Sequence, residues 1–408
     1  MMKLVERIIV KPHDKHFQEI DHICFLSKNL YNSTLYAVRQ YYKETKSYLN
    51  YNAVNKIFTD CKQVDYCSLP RKVSKATQML LDKNYMSFFE LLKLKNNGLY
   101  ENPVKPPKYL DKINGRQVTT YCKQAISFKI KGTIKLSGTN IVLKTDKDVQ
   151  FVRLVPKNGY YVIEIGYNVN EKHLLQNNGN YASIDIGINN LATMTSNVFS
   201  PIIVNGKPLK SINQFYNKRL SELKSIVKII NNQNTSKRIQ TITRIRNNKI
   251  TDYMHKSSRF IVNHLVSTNV NTLIIGYNKG WKQDTVMRKD DKQTFVQLPF
   301  LKFIQMLSYK CKLEGINVVM QEESFTSKSS FIFQDYIATY DVDPEKSKPT
   351  GKRIKRGLYK NQDNTLINAD VNGSYNIMRK YLTSKEAWNE NIFSDCVEVC
   401  SAPLVKSF

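Results

Sequence analysis

The chain has 408 residues, 41% of them apolar, so it is long enough for two or three packed domains and is not extensively disordered. Its 62 Lys and Arg against 34 Asp and Glu give a formal charge of +28, which favours a polyanion such as nucleic acid as partner. No run of about 18 uncharged apolar residues occurs, so no membrane-spanning helix is expected. If the protein is prokaryotic, we expect it to be cytoplasmic and associated with the nucleoid.

The first third of the chain changes its periodicity twice. Residues 3–11 alternate loosely and stop at Pro12, which predicts a strand. From about 17 to 98 apolar residues recur at helical spacing, and the Pro-rich stretch 102–108 ends this helical module. The first element is therefore a single strand, followed by helices.

Short β runs dominate from about 125 to 168. Ser137-Gly138 and Asn158-Gly159 supply turns, the second being a strong hairpin signal. We expect the first strand of the chain to join this later sheet. The two parts would then form a β-barrel-like module that the helices split.

After residue 180 the element order itself becomes informative. Three short β runs are followed by a long helical hairpin, a strand, a helix, a strand and a last helix. This is the order of elements in the RNase H fold, so the whole chain is predicted to be multidomain α+β with an α/β domain at its C-terminal end. The predicted elements are strands at 183–188, 191–195 and 201–204, a helical hairpin broken at 231–234, a strand at 272–276, a helix at 299–313, a strand at 316–320 and a helix from about 370.

Two aspartates of this region lie at positions that suggest a specific role for the carboxylate. Asp185 lies between Ile184 and Ile186 on a strand that should be buried, where an unpaired carboxylate is costly unless it binds a metal or a partner. Asp370 opens the last helix and could be a simple N-cap. Asn368, Asn372 and Asn376 follow it at four-residue spacing, which favours a polar cluster that faces a site.

A third acid is expected from the fifth strand of this domain. Many RNase H-like nucleases carry their second acid on the fourth strand, but here that strand ends in Gly276 without one. Glu323 follows the neighbouring fifth strand, and Glu322 should point the other way because side chains alternate. Asp185, Glu323 and Asp370 would together hold Mg²⁺ or Mn²⁺, as two ions about 4 Å apart, for phosphodiester hydrolysis.

These residues lie in motifs that resemble those of the TnpB (OrfB) proteins of insertion sequences. Asp185-Ile186-Gly187-Ile188-Asn189-Asn190-Leu191-Ala192-Thr193 is similar to their first RuvC motif. Three further blocks follow in order, beginning at Gly276, Glu323 and Lys355. The resemblance spans nearly the whole chain. It divides the chain into a wedge strand at 1–12, a helical recognition domain at 13–101, a wedge barrel at 102–170, a RuvC domain at 171–323, an insertion at 324–366, a final RuvC helix at 367–383 and a tail at 384–408.

The resemblance implies an RNA-guided DNA endonuclease related to type V CRISPR effectors. Its partners would be a guide RNA derived from the transposon end and target double-stranded DNA, cut beside a short motif that the protein reads. Asp185, Glu323 and Asp370 would be its catalytic, metal-binding acids. The residues that this reading assigns to nucleic-acid binding are Lys282, Lys328, Arg353, Lys355, Arg356 and Asn368.

The sequence departs from many members of that family at the insertion. They carry a four-cysteine zinc ribbon, whereas residues 324–366 contain no cysteine and have Asp335, Asp341 and Asp343 instead. No C-x-x-C pair occurs among the seven cysteines of the chain, so no zinc is expected. The chain resembles a subgroup that lacks the ribbon and has the shifted glutamate.

Two other functions stay open at this point. A relative that binds RNA and DNA but does not cut would act as a transcriptional repressor, although such a role tolerates loss of the acids that this chain keeps. Strand transfer by a transposase is the third, and the sequence has no separate constellation of residues for it.

Overall fold

A computed structural model describes residues 1–278, 293, 295–340, 342–355, 357–389 and 403–408. The chain forms two compact units, Met1–Asn170 and Glu171–Phe408. They divide where the wedge barrel was predicted to give way to the RuvC domain, and the finer domain boundaries stay predictions.

The first unit is built on a four-stranded antiparallel sheet of order β1-β7-β6-β2. Strand β1 pairs with β7 along its whole length, from Met2 opposite Val169 to Val10 opposite Tyr161, as the sequence predicts. Asn158 and Gly159 form the turn between β6 and β7, and Gly159 has the positive φ of 80° that such turns favour. The strands are β1 (Met2–Val10), β2 (Thr119–Cys122), β6 (Val149–Lys157) and β7 (Tyr160–Val169).

A second, three-stranded sheet and four helices complete this unit. The sheet is formed by β3 (Ile126–Ser127), β4 (Thr133–Leu136) and β5 (Val142–Lys144), and the helices are α1 (Phe17–Thr45), α2 (Tyr51–Asp60), α3 (Val64–Cys67) and α4 (Arg71–Asn96). One face of α1 is buried at Ile20, Leu30 and Leu35, so the helices are held by an apolar stripe. The strands form two separate hydrogen-bonded sheets, and the barrel interpretation stays a prediction.

The second unit is built on a six-stranded sheet of order β12-β11-β8-β9-β10-β16. Strands β8, β9 and β10 form an antiparallel meander, and β11 and β12 add in parallel beside β8. The strands are β8 (Tyr181–Asp185), β9 (Asn190–Ser196), β10 (Ile202–Asn205), β11 (Thr272–Gly276), β12 (Asn317–Gln321) and β16 (Leu404–Lys406). The edge strand β16 comes from the C-terminal tail, and the sequence did not predict it.

In the part of the chain that the structure describes, the helices that accompany this sheet follow the predicted order. They include α5 (Lys207–Asn231), α6 (Lys237–Ser267), α7 (Phe300–Leu313) and α8 (Ala369–Ser384). Helices α5 and α6 form the predicted hairpin, and α8 lies against β8, β9 and β11. No helix in the described ranges is long and apolar enough to cross a membrane.

The segment predicted as an insertion contains a small sheet of its own. It consists of β13 (Lys352–Lys355), β14 (Leu358–Lys360) and β15 (Leu366–Asn368) in antiparallel order. Strand β15 leads directly into α8. This sheet therefore brings β13 close to the first turn of α8, where the candidate site lies.

Candidate active site

The carboxyl ends of three parallel strands meet at one edge of the larger sheet. Strand β8 ends at Asp185, β11 at Gly276 and β12 at Gln321, and all three run in the same direction. A cavity of about 770 Å³ lies at this edge, and Asp185, Glu323 and Asp370 all line it. In open parallel sheets this edge is the usual place for a ligand.

Asp185 is held at the cavity by the packing of α8 against β8 and β9. Three buried hydroxyls connect these elements, because Ser183 Oγ lies 2.8 Å from Thr195 Oγ1 and Thr195 Oγ1 lies 2.9 Å from Ser374 Oγ. A Cβ atom at Gly373 would stand 3.1 Å from Asp185 Oδ2, tighter than an ordinary contact. The glycine therefore lets the backbone of α8 come close to the Asp185 carboxylate.

Asp370 lies in the first turn of α8, where the helix dipole favours a negative charge. It is not the N-cap: the side chain of Asn368 caps the helix, accepting from the Asp370 N–H at 3.0 Å and the Val371 N–H at 3.2 Å. The Asp370 carboxylate instead accepts hydrogen bonds from Arg353 Nη2 at 2.9 Å and Asn190 Nδ2 at 2.7 Å. Both of its oxygens are thereby turned toward the cavity lining.

Glu323 lies two residues beyond β12 and is positioned by the end of β11. The Glu323 N–H donates to Asn278 Oδ1 at 3.2 Å, and Asn278 Nδ2 lies 3.5 Å from Glu323 Oε1. A Cβ atom at Gly276 would stand 2.6 Å from Glu323 Oε2 and 2.5 Å from Ile377 Cδ1, too close for either. Strand β11, which has no acid of its own, thus leaves space at Gly276 for the Glu323 carboxylate.

Glu322 is turned away from the cavity. Its carboxylate accepts from Lys380 Nζ at 2.5 Å and from the Ser324 N–H at 2.6 Å. Neighbouring acids therefore face different partners, in the orientation expected from alternation along a strand.

Burial and mutual repulsion change the titration of two of the three acids. Burial, and secondarily the charge of Asp370, raises the pKa of Asp185 to about 7, although Arg353 opposes the shift. Burial, and then the charges of Asp185 and Glu322, raises the pKa of Glu323 to about 8. Carboxylates with raised pKa values in one cavity are typical of a site that needs a cation.

The donor chemistry of this cavity fits a hard divalent cation. Asp185, Glu323 and Asp370 offer carboxylate oxygens, which Mg²⁺ and Mn²⁺ prefer over nitrogen or sulfur. Within the described ranges, no three His, Cys, Asp and Glu side chains stand close enough to hold a metal ion as they are arranged here. Arg353 Nη2 also lies 2.9 Å from Asp370 Oδ1, so the guanidinium occupies an oxygen that a cation would need.

The residues predicted to bind nucleic acid are dispersed. Arg353 lines the cavity on β13, and Asn368 uses its side-chain oxygen as the helix cap. Lys328 Nζ lies 5.2 Å from the centroid of the Phe325 ring, and Lys355 is exposed on β13. Lys282 and Arg356 lie outside the described residues.

The asparagine series of α8 does not form the predicted cluster facing the site. Asn372 and Asn376 are buried and donate to the Ser329 carbonyl at 2.8 Å and 2.7 Å, and Asn372 Oδ1 accepts from the Phe331 N–H. They fasten the segment after Glu323 to the helix, and Asn368 caps that helix. The expectation of a shared polar face was wrong because each amide instead satisfies buried backbone groups.

Acids of the insertion serve the same structural purpose. Asp335 accepts from the Ser330 N–H at 2.6 Å and from Thr350 Oγ1 at 2.8 Å, and Asp343 accepts from the Thr339 N–H at 2.7 Å. Asp335 and Asp343 are therefore occupied in folding the loops of this segment. Asp341, the other acid considered there, lies outside the described residues.

Several residues of the site were missed at the sequence level. Asn190 binds Asp370, Asn278 binds Glu323, and Gly276 and Gly373 make room for carboxylates. Asn190 lies inside the first motif quoted above, but residue spacing gives no signal of its hydrogen bond to Asp370, 180 positions away.

Two family models match parts of this chain. Residues 164–282 match the OrfB_IS605 family model, described as a probable transposase, and residues 300–377 match the model of the Cas12f1-like TNB domain. The two matches follow one another from residue 164 onward and include all three candidate acids.

Two TnpB-like proteins are similar to this chain over much of their length. One, from Methanocaldococcus jannaschii, is 24% identical over 265 residues, which is 64% of this chain and 84% of that protein. Another, from Acidianus two-tailed virus, is 23% identical over 423 residues, covering 91% of this chain and 86% of its own.

A solved structure has a similar fold. The chain resembles Cas12f1, solved in a Cas12f1-sgRNA-target DNA complex, with a TM-score of 0.52, 14% identity, and coverage of 88% of this chain and 83% of that one. The chain is thus similar to TnpB-like proteins over most of its length, and its fold is similar to that of Cas12f1.

Proposed function

We propose that this protein is an RNA-guided DNA endonuclease that cuts in one RuvC-type site at the cavity of Asp185, Glu323 and Asp370. The observation that carries the proposal is that these three acids, 185 positions apart from first to last, line one cavity at the carboxyl ends of parallel strands. Similarity to TnpB-like proteins supports the chemistry proposed for that cavity.

The acids would hold Mg²⁺ or Mn²⁺, as two ions. Bound there, such ions activate water and stabilise the leaving oxygen of a phosphodiester. The chain's own contribution is to bring each carboxylate to the cavity: α8 packs closely at Gly373 and Ser374 on the strands that carry Asp185, Asn190 binds Asp370, and Asn278 binds Glu323. We infer that no zinc is used, because the predicted ligands are all carboxylates.

The nucleic-acid partners follow from the family and from charge. We propose a guide RNA from the transposon end and double-stranded target DNA, with a short adjacent motif read by the protein and the rest of the target read by pairing. A formal charge of +28 supports extensive phosphate contact. Arg353, which lines the cavity and pairs with Asp370, would contact a backbone phosphate that enters the site.

The experiment is DNA cleavage by the purified ribonucleoprotein with single substitutions of the acids. Asp185→Ala and Asp370→Ala should each lower cleavage by several orders of magnitude while RNA binding stays at the wild-type level, because phosphate contacts elsewhere are unchanged. Glu322→Gln is the matched control, since its carboxylate pairs with Lys380 outside the cavity.

Cleavage near the wild-type rate in either aspartate variant would refute the assigned site. A wild-type protein that binds its RNA and the matching DNA but leaves the DNA intact would point to the repressor function instead.

A further inference from the structure

The hairpin of α5 and α6 carries an apolar cleft on its surface that the active site does not use. The cleft has a volume of about 370 Å³ and an apolar floor that includes Ile212, Phe215 and Ile245. The Phe215 side chain is 75% exposed, which is unusual for a ring of that size, and Ile245 is 46% exposed. This volume lies at the lower end of the range for small-ligand sites.

Three basic side chains surround that floor, and no acid is among the cleft's lining residues within the described ranges. They are Arg219, Arg246 and Lys249. Arg246 is fixed in place, because its Nε donates to Asn213 Oδ1 at 2.8 Å and its Nη2 to the Gln297 carbonyl at 2.9 Å. The cleft therefore combines an accessible aromatic face with prearranged positive charge.

The surrounding hairpin is strongly basic. From Lys207 to Arg259 there are 13 Lys and Arg residues and two acids. Both acids are paired on the surface, Glu222 with Arg219 at 2.7 Å and Asp252 with Lys256 at 2.8 Å. Such a surface attracts a polyanion, and it would repel a second copy of the same hairpin.

We propose that this cleft binds an unpaired nucleobase, stacked on the Phe215 ring, with the flanking phosphates held by Arg219 and Lys249. Aromatic platforms beside basic residues are the usual way in which single strands are held, since every base has a π-face to stack. A duplex would not fit this description, because pairing and stacking cover the faces of its bases. The proposal deepens the proposed function and rests on it for the identity of the strand.

Two strands could supply that base: an unpaired part of the guide RNA, or a DNA strand separated from its complement. Both strands would present the same chemical group to the cleft, an unpaired nucleobase flanked by phosphates. Separate RNA and DNA arms in one binding experiment distinguish them.

The test measures binding by the full-length chain, freed of nucleic acid in high salt, on an Asp185→Ala background so that cleavage plays no part. The probes are single-stranded RNA, single-stranded DNA and duplex DNA of one sequence, each carrying 2-aminopurine, whose fluorescence is quenched on stacking. Phe215→Ala should lower the affinity for one of the single-stranded probes by about 5- to 150-fold and remove the quenching of its 2-aminopurine fluorescence. Duplex affinity should be unchanged.

Matched variants separate stacking from other effects. Phe215→Trp keeps a ring and should keep the quenching. Ile229→Ala removes an apolar side chain that is 85% exposed on the same helix but outside the cleft, and it should have no effect. Lys249→Gln should lower the salt dependence of single-strand binding by about one phosphate contact, a slope change of roughly 0.7.

The proposal would be overturned if Phe215→Ala bound both single-stranded probes with unchanged affinity, or if it lost as much affinity for the duplex as for a single strand. It would also be overturned if Phe215→Ala reduced self-association in sedimentation and left nucleic-acid binding unchanged. Because only binding is read, the cleft can fail while DNA cleavage stands, and the reverse also holds.

Discussion

Replacing Gly276 by alanine should inactivate the site without touching an acid. The added Cβ would stand 2.6 Å from Glu323 Oε2 and 2.5 Å from Ile377 Cδ1, whereas ordinary contacts begin at 3.4 Å. The carboxylate must therefore move by about 0.8 Å, more than the roughly 0.5 Å within which a catalytic group must be held. A misplacement of this size costs on the order of 10²-fold in rate.

The same methyl group also crowds Ile377 in the core, which would cost about 1–3 kcal/mol of folding free energy. Ile377→Val removes the Cδ1 atom and with it that clash. The double variant Gly276→Ala/Ile377→Val should therefore recover thermal stability but not DNA cleavage, which separates the position of the carboxylate from packing.

A triple variant tests the position directly. Gly276→Asp with Glu323→Ala and Ile377→Val places the Cβ of a new acid 2.6 Å from the present position of Glu323 Oε2 and removes the Cδ1 atom that this Cβ would meet, so part of the cleavage lost in Glu323→Ala should return. The assays are initial rates of plasmid cleavage and thermal unfolding of each ribonucleoprotein. Wild-type cleavage by Gly276→Ala would refute this reasoning, as would full recovery of cleavage on adding Ile377→Val.

Three further outcomes are expected. Glu323→Gln should lose cleavage while Glu322→Gln retains most of it, measured in the same plasmid assay; the reverse pattern would mean that Glu322 and not Glu323 faces the cavity. Burial raises the pKa of Asp185 to about 7 and that of Glu323 to about 8. In EDTA, these two carboxyl groups therefore keep protons in the folded chain at pH values where the unfolded chain has released them. The free energy of unfolding should consequently fall as pH rises from about 4 to about 8. Denaturant unfolding should show a shallower fall for Asp185→Asn, and an equal slope would contradict the assignment. Arg353→Gln frees an oxygen of Asp370 and should tighten Mn²⁺ binding several-fold by calorimetry, whereas weaker binding would mean that Arg353 does not compete with the cation.

The sequence predicted the elements of the second unit well, because buried strands and amphipathic helices leave strong periodic patterns. The β8–β9–β10 meander, the α5–α6 hairpin and the parallel strands β11 and β12 all lie within a few residues of their expected positions. Strand β16 was missed, since a three-residue edge strand in a polar tail has no periodicity to detect.

The site was predictable in its acids but not in what holds them. Asp185 was expected from the cost of a lone charge on a buried strand, and Glu323 from the missing acid on β11. Pairs such as Asn190 with Asp370 arise only when distant segments fold together. Asn372 shows the opposite kind of error. Its regular spacing suggested a side chain that faces the site, but the side chain is buried and donates a hydrogen bond to the Ser329 carbonyl.

The most direct test of RNA-guided cleavage in this cavity is to redirect it. RNA that copurifies with the protein would be sequenced, its guide segment replaced, and the ribonucleoprotein incubated with a plasmid that carries the new target beside randomised flanking sequence. We predict Mg²⁺-dependent cutting at the new target by the wild-type protein and none by Asp185→Ala. Cutting that ignores the new guide, or cutting that persists in Asp185→Ala, would contradict the account.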